Sequence, residues 1–437
     1  MERREFLIGC SAAIAAMAGS RITGFSFDPA GGSAKEIFIY IFLRGGCDGL
    51  NLVAPVNDRN YVVERPVDLR ITDANDNQGL PLQNGLDSSL DFRIHKSAHE
   101  LKELYDSNKL AIIHAAGLTN GTRSHFDAMD IIERGSLDDK NLGEGWFTRY
   151  LATSGSVTSS TVYPSIAINS TIPASFLGSA STLAIGNLAE YRLRTDPRVN
   201  DLLKDFYKGK SFLDEAAQDA LMSIEAINQR IAKDSNGKMI PYAPENNASY
   251  PNNAFGKSMQ TLAQVIKMDV GLQIAAVDYG GWDTHERQQN IFSTLTEGLS
   301  KSLGAFYNDV AAYENKITIL VMSEFGRRLK ANKSNGTDHG HGNVMFVLGG
   351  NVKGGKMYGQ WPGLDNEQLD NQVDLAVTTD YRHVLSEIVV KRLSNPKLGY
   401  IFPGFKAYKP LGFMNGENLA IDYSTTLKGT SSSPKTK

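Results

Sequence analysis

The chain has 437 residues, 41% hydrophobic and 21% charged, with a formal net charge of -3. That length allows a large core and about two or three domains, although large α/β enzymes often reach it as one. The near-neutral balance gives no electrostatic ground for a nucleic-acid partner, and none is expected.

The opening stretch, MERREFLIGCSAAIAAMAGS, reads as a targeting segment: Arg3 and Arg4, then a small apolar run over 7–18. The run is shorter than the roughly 20 residues that span a bilayer, so no stable membrane span is expected. Ala16-Met17-Ala18 offers a small-x-small cleavage site. The Arg-Arg-x-Phe-Leu order resembles a twin-arginine signal, an address for export rather than an anchor. The expectation is a periplasmic or secreted protein, handled by the twin-arginine machinery, with 1–18 removed as a signal peptide. Cys10 falls near the start of the apolar run instead of closing it, which argues against lipidation, and after cleavage Cys47 stands without an internal disulfide partner.

The first strong strand, EIFIYIFLRGG (36–46), is apolar, β-branched and closed by glycines. Such a run suits a strand buried on both faces, as in a parallel sheet. KLAIIHAAG (109–117), GLQIAAVDYGG (271–281), KITILVMSEFG (316–326) and NVMFVLGG (343–350) have the same character, and 165–169 and 183–187 are weaker candidates. Helical patterns fall between them: AHELKELYDSN, one long amphipathic stretch over 202–234, then 254–269 and 294–316. The alternation predicts an α/β fold, a three-layer α/β/α sandwich with a mostly parallel central sheet over 36–395. A helical insertion or cap is expected over about 190–256, with an exposed Pro/Asn-rich loop at 241–254. A C-terminal extension over 396–428 and a disordered tail over 429–437 complete the chain.

Sites in open α/β sheets form beyond the carboxyl ends of strands. Reading past each strand gives Asp48 after the first, RSHFDAMD with Ser124 and His125 after the second, Asp283 and His285 after the 271–281 strand, and Glu324 and Arg327 after the 316–326 strand. The stretch GTDHGHGN then supplies Asp338, His339 and His341. Asp283 and His285, two apart, project to one side in extended backbone and can meet one ion. Asp338 and His339 diverge if extended but converge where glycines bend the chain. Mixed Asp/His ligation suits zinc, manganese or iron, and argues against calcium and thiolate clusters. Glu324 and His341 stand as further ligands or as groups orienting the ligands. His125 and Arg327 are candidates for binding substrate.

Ser124 precedes an apolar-periodic stretch, where a serine caps a helix; the same position makes it a candidate nucleophile at an anion-favouring helix start. Among the other histidines, His95 and His99 have helical ligand spacing, His114 lies inside an apolar strand, and His383 opens a helix. GNVKGGKM (350–357) lacks the hydroxyl residue of a phosphate loop, and no G-x-S-x-G elbow is present.

FLRGGCDGLN, RSHFDAMD, GGWDTH, SEFGRR and GTDHGHGN, in that order, resemble the exported bacterial family called domain of unknown function 1501, across roughly 36–395. That family is grouped with the alkaline phosphatase-like superfamily of phosphatases, sulfatases and phosphoglycerate mutases. The resemblance implies one or two divalent metals, zinc or manganese, held by Asp48, Asp283, His285, Asp338 and His339, with Ser124 as nucleophile. The first Asp/His pair is spaced more closely than in the superfamily, and its last histidine has only His341 or His383 as counterpart. The expected function is an exported metal-dependent hydrolase of phosphate or sulfate esters, acting on a small anionic ester or a surface polymer. The alternative is a non-catalytic exported binding protein that keeps the fold.

Overall fold

Residues IFIYIFL form β1 (Ile37–Leu43), buried along its whole length at the heart of the sheet. The computed structural model describes residues 36–154, 163–179, 182–188, 191, 197–237 and 239–426. The expected signal peptide (1–18) and tail (429–437) lie outside the described residues, as does part of the expected insertion.

In chain order the elements around the site are β1, α1 (His99–Asp106), β2 (Leu110–Gly117), α2 (His125–Glu133), α3 (Trp146–Thr153), β3 (Ser165–Ala167), β4 (Thr182–Ala184), α4 (Pro197–Phe206), α5 (Phe212–Arg230), α6 (Ala254–Lys267), β5 (Ile274–Tyr279), α7 (Gln288–Asp309), β6 (Ile317–Ser323), β7 (Arg327–Ala331), β8 (Thr337–His339), β9 (Asn343–Gly349), β10 (Lys356–Tyr358), β11 (Thr379–Asp380) and α8 (Tyr381–Lys391). Among the described residues, nine strands form one sheet in the order β10-β2-β9-β6-β1-β5-β3-β4, with β11 also paired to β2. β1 runs parallel to both neighbours, Tyr40 lying opposite Ala276 of β5 and Leu320 of β6.

The period-2 alternation of β1 divides the core. Ile37, Ile39, Ile41 and Leu43 pack with Leu101 of α1, Met259 and Leu262 of α6 and Leu299 and Leu303 of α7. Phe38, Tyr40 and Phe42 pack on the other face with Ile131 and Ile132 of α2, Trp146 and Phe147 of α3 and Leu385 and Ile388 of α8. Helices therefore cover both faces, which is the expected three-layer α/β sandwich.

β9 departs from its neighbours. It runs antiparallel to both β2 and β6. The antiparallel pair β7 and β8 leads into it, so no crossover helix is needed. β9 thus begins at the rim where β1, β2, β5 and β6 end, and GTDHGHGN lies on that rim as an approach to a strand.

Two other expectations change. The long helix over 202–234 is two helices, α4 and α5, with Ser211 capping α5 in a reciprocal box with Asp214. The break falls at Gly209, where a helix is weakest. His95 and His99 share no helix: α1 begins at His99, and His95 is buried before it. The 241–254 loop is tied down, because Tyr242, Tyr250 and the Glu245 amide all donate to the buried Asp309 carboxylate. His114 is fully buried in β2, and His383 accepts a hydrogen bond from the Lys409 amide. No described helix is long and apolar enough to cross a membrane.

Candidate metal centre

Three loops leave the rim at the ends of β1, β5 and β6 and touch at once. Gly45 has φ +121°, and a Cβ there would stand 2.4 Å from the Asp283 amide nitrogen, so only glycine lets the first two loops meet. Gly336 plays the same part for the last segment, since a Cβ on it would lie 2.2 Å from the His285 carbonyl oxygen. Arg327 then ties the loops together. Its guanidinium donates to the carbonyls of Gly46 (2.6 Å) and Thr337 (2.8 Å) and to Asp283 (2.6 Å).

Inside this frame one carboxylate and three imidazoles converge. His285 Nε2 is 3.1 Å from Asp283 Oδ1, and His339 Nε2 is 3.2 Å from the same oxygen. The two Nε2 atoms are 2.9 Å apart. His125 Nε2 lies 3.5 Å from Asp283 Oδ2. Among the described residues, donor atoms of His125, Asp283 and His339 all fall within 4.8 Å of one another.

The far side of each ring sets its chemistry. His125 Nδ1 faces Glu324 Oε1 at 2.7 Å, His339 Nδ1 faces the Arg123 carbonyl at 2.9 Å, and His285 Nδ1 faces Asp338 Oδ1 at 3.3 Å. A carbonyl or an ionised carboxylate only accepts, so each Nδ1 carries a hydrogen, and in the neutral form of such a ring the Nε2 lone pair is left bare and turned inward. His125 Nε2 is buried without a hydrogen-bond partner. Facing lone pairs at such distances repel, and a cation among them removes the repulsion. Imidazole held by a carboxylate or carbonyl behind it is the usual setting of a metal-ligating histidine. Three imidazoles and a carboxylate suit a divalent zinc-type ion.

Charge agrees with this. Burial pushes the Asp283 carboxyl up, but the hydrogen bond and the positive charge of the Arg327 guanidinium are among the effects that outweigh it and bring it down to about 2. Burial of Glu324 is likewise outweighed by hydrogen bonds from His125, Ser323 and Gly45, leaving its carboxyl below the usual range. The hydrogen bond from Asn332, against the cost of burial, and that from His285 hold Asp338 low as well. Three ionised carboxylates thus surround the imidazoles. The centre opens to solvent, with the His285 and Asp283 side chains 40% and 47% exposed.

Other expected site residues stand elsewhere. Asp48, expected as a ligand, is fully buried in a two-pronged ion pair with Arg65 (2.6 and 3.0 Å) and also accepts from Gln288 (2.6 Å). Its carboxylate has no free edge for an ion. Arg327, expected to bind substrate, is buried and occupied by the loops. His341 Nδ1 pairs with Asp370, and its Nε2 donates to the Gly121 carbonyl at 3.0 Å, away from the cluster. Asp338 sits behind His285 rather than beside it. His125, expected to touch substrate, has a ligand's geometry. Ser124 caps α2, its Oγ accepting from the Asp127 amide at 3.4 Å, and its side chain is exposed. Arg65 and Gln288 were not legible as contributors, because their partner Asp48 lies 17 and 240 residues away, and Asn332, six residues before Asp338, falls in none of the motifs.

A family model described as protein of unknown function (DUF1501) matches residues 187–399, in keeping with the resemblance of the motifs. Asp283, His285, Glu324, Asp338 and His339 fall inside that span, and Ser124 and His125 fall before it. No curated protein matches the sequence significantly. Similar solved structures include the C-terminal periplasmic domain of EcEptC from Escherichia coli in complex with Zn, 8% identical, covering 75% of this chain and 77% of that one, at a TM-score of 0.33. Alkaline phosphatase from the Antarctic bacterium TAB5 is 10% identical, with 72% and 92% covered, at 0.29. The PsFucS1 sulfatase from Pseudoalteromonas sp. is 9% identical, with 82% and 68% covered, at 0.32. Likenesses this loose assign no role to any residue of the present chain.

Proposed function

We propose that the chain is an exported, metal-dependent hydrolase of phosphate or sulfate esters whose centre holds one ion through His125, Asp283, His285 and His339. The observation that carries this reading is the convergence of three imidazole Nε2 atoms on one carboxylate, each ring held from behind at Nδ1. Zinc or manganese would supply Lewis-acid polarisation of an ester oxygen. Glu324, Asp338 and the Arg123 carbonyl hold the three rings in one tautomer and orientation. Arg327 fixes Asp283 and keeps it ionised. Ser124, next to His125 and exposed at the start of α2, is the proposed nucleophile: its oxygen bonds to phosphorus or sulfur while its proton passes to the departing alcohol, whose bond to phosphorus or sulfur breaks, and water then cleaves the Ser124 ester, returning a proton to Ser124 and releasing the anion. The expected second ion loses its support, because Asp48 is spent on Arg65 and His341 on Asp370.

Metal analysis of the purified protein, with assays on phosphate and sulfate monoesters, tests this reading. One equivalent of metal, lost in His285→Ala, and turnover lost in Ser124→Ala are expected. Absence of metal from the wild type sinks it. One observation favours the second reading, a non-catalytic binding protein: the Ser124 hydroxyl rests on a backbone amide rather than on a base. Metal retained with no turnover of any ester would decide for that alternative.

A further inference from the structure

Arg123 is tied to the neighbourhood of the centre twice. Its carbonyl stands behind His339 Nδ1, and its guanidinium is bound to Asp374. Nε and Nη2 both donate to Asp374 Oδ2, the former at 3.1 Å. Asp374 is fully buried. His341 Nδ1 lies 3.6 Å from the same oxygen, and Nε2 of that ring donates to the Gly121 carbonyl at 3.0 Å. The approach to α2 is thus held at Gly121 and at Arg123 by groups that meet at one carboxylate. Asp374 itself belongs to the other half of the centre. On either side of it the Leu329 amide donates to the Val373 carbonyl (3.1 Å) and the Gly342 amide to the Leu375 carbonyl (2.8 Å). These bonds pin it to β7 and to the lead into β9. Its other oxygen faces Arg328 Nε at 4.0 Å, and Arg328 Nη1 stands 4.0 Å from Asp338 Oδ2, the carboxylate behind His285. Ion pairs taken out of water return little net stability. What this one secures is the place of the loop that brings Ser124 and His125 to a centre whose other ligands come from the ends of β5 and β8.

We propose that Asp374 is a positioning residue of the metal centre, acting through Arg123 to hold the start of α2 against the β7–β8 pair. This rests on the metal reading and adds to it a residue outside the ligands and the groups behind them. Without the tie, the Arg123 carbonyl is no longer fixed behind His339 Nδ1, and His125 Nε2 is no longer fixed beside Asp283. A ligand set works only when it is held within about 0.5 Å of its productive geometry. The ion then keeps every ligand but is held less tightly.

Zinc affinity, read by competition with a chromogenic chelator, tests this in Asp374→Asn, in Arg123→Gln and in the double variant. The Arg123 carbonyl survives in all three, so a loss of affinity reports its placement. Each single variant binds zinc about tenfold more weakly, the lower end of what partners behind a ligand contribute. The double variant is no weaker than the worse single one, because the two side chains act as one unit. Asp48→Asn controls for structure alone. It breaks a carboxylate–guanidinium pair whose carboxylate is equally buried, and it leaves the affinity unchanged whatever it does to Tm. Wild-type affinity in Asp374→Asn overturns the proposal, as does a double variant in which the two losses multiply. Should Asp374→Asn fail to fold, Arg123→Gln decides alone, since the Arg123 side chain is 31% exposed. A tenfold weakening there sustains the proposal, and unchanged affinity overturns it. If the wild type binds no zinc, the metal reading fails by itself, and nitrogen NMR of the histidine side chains decides the positioning. Shifted His339 and His125 ring nitrogens in Asp374→Asn, absent in Asp48→Asn, sustain it; unmoved resonances overturn it.

Discussion

Asp48 and Asp283 both follow a parallel strand in a glycine-rich loop, yet they do opposite work. The Asp48 side chain is 1% exposed and its oxygens are taken by Arg65 and Gln288. Asp283 is 47% exposed with three imidazoles around it. Removing the charge from Asp48 leaves Arg65 buried and unpaired, which costs about 3–5 kcal/mol. Asp48→Asn should therefore lower the unfolding free energy in urea by that order while metal content per folded molecule stays the same. Loss of metal with undiminished stability would return Asp48 to the centre. Glu324→Gln makes the opposite test. The amide still fits behind His125 but withdraws the negative charge, and such outer partners are worth about 10–100-fold in metal affinity. Competition with a chromogenic chelator should show that weakening, with little change in Tm of the chelated protein. The sequence showed polar residues at each strand end, because strands and glycines have local signatures. It did not show which carboxylate meets a guanidinium, because Arg65 and Asp48 lie 17 residues apart and Glu324 and His125 lie 199 apart. Pairing at that range is decided by how the loops pack, which no local pattern encodes.

At the scale of elements, strand identity was legible and strand direction only in part. β9 has the same continuous apolar run as β1 and β6, since burial on both faces demands it whichever way the chain runs. The short β7–β8 pair that reverses it carries charged residues and looks like loop in the sequence. The Pro/Asn-rich 241–254 segment reads as an exposed loop in the sequence, but its anchor, which sits on α7, has no local signature. Asp309 gathers Tyr242, Tyr250, the Glu245 amide and the Lys267 ammonium, all within 2.9 Å. Burial raises the Asp309 carboxyl, but these donors outweigh it and leave its pKa below the ordinary value. A depressed folded value means stability that is present above the unfolded pKa of about 3.9 and lost as pH falls through the folded one. Asp309→Asn should cost about 1.5–3 kcal/mol at pH 7, the worth of hydrogen bonds to a charged group. The gap between variant and wild type should narrow below about pH 4. Urea unfolding at pH 7 and pH 3 reads both, and a gap that stays constant across that range would show that the anchor does not depend on its charge.

The whole molecule is built so that its centre closes the chain on itself. His125 comes from the start of α2, Asp283 and His285 from the loop after β5, and His339 from the end of β8. The Arg123 carbonyl and His339, which meet behind one ring, are 216 residues apart. An ion held by these four side chains would cross-link segments that the unfolded chain cannot bring together, so it would bind the folded form alone. Such binding adds about 2.7 kcal/mol at a free metal concentration one hundred times Kd. The same closure makes sense of the proposed export route, which carries folded proteins: the twin-arginine address would follow from a centre that exists only after folding. Chelation with EDTA should lower Tm by several degrees, and added zinc or manganese should restore it with a dependence on metal concentration. In the double variant His285→Ala/His339→Ala the chelator should shift Tm by less than one degree, because the ring pair that faces across 2.9 Å is gone. Differential scanning calorimetry of both proteins, with and without EDTA, measures this. Equal shifts in the two would place any stabilising ion elsewhere in the molecule and leave the rim with its imidazoles but without the ion proposed for them.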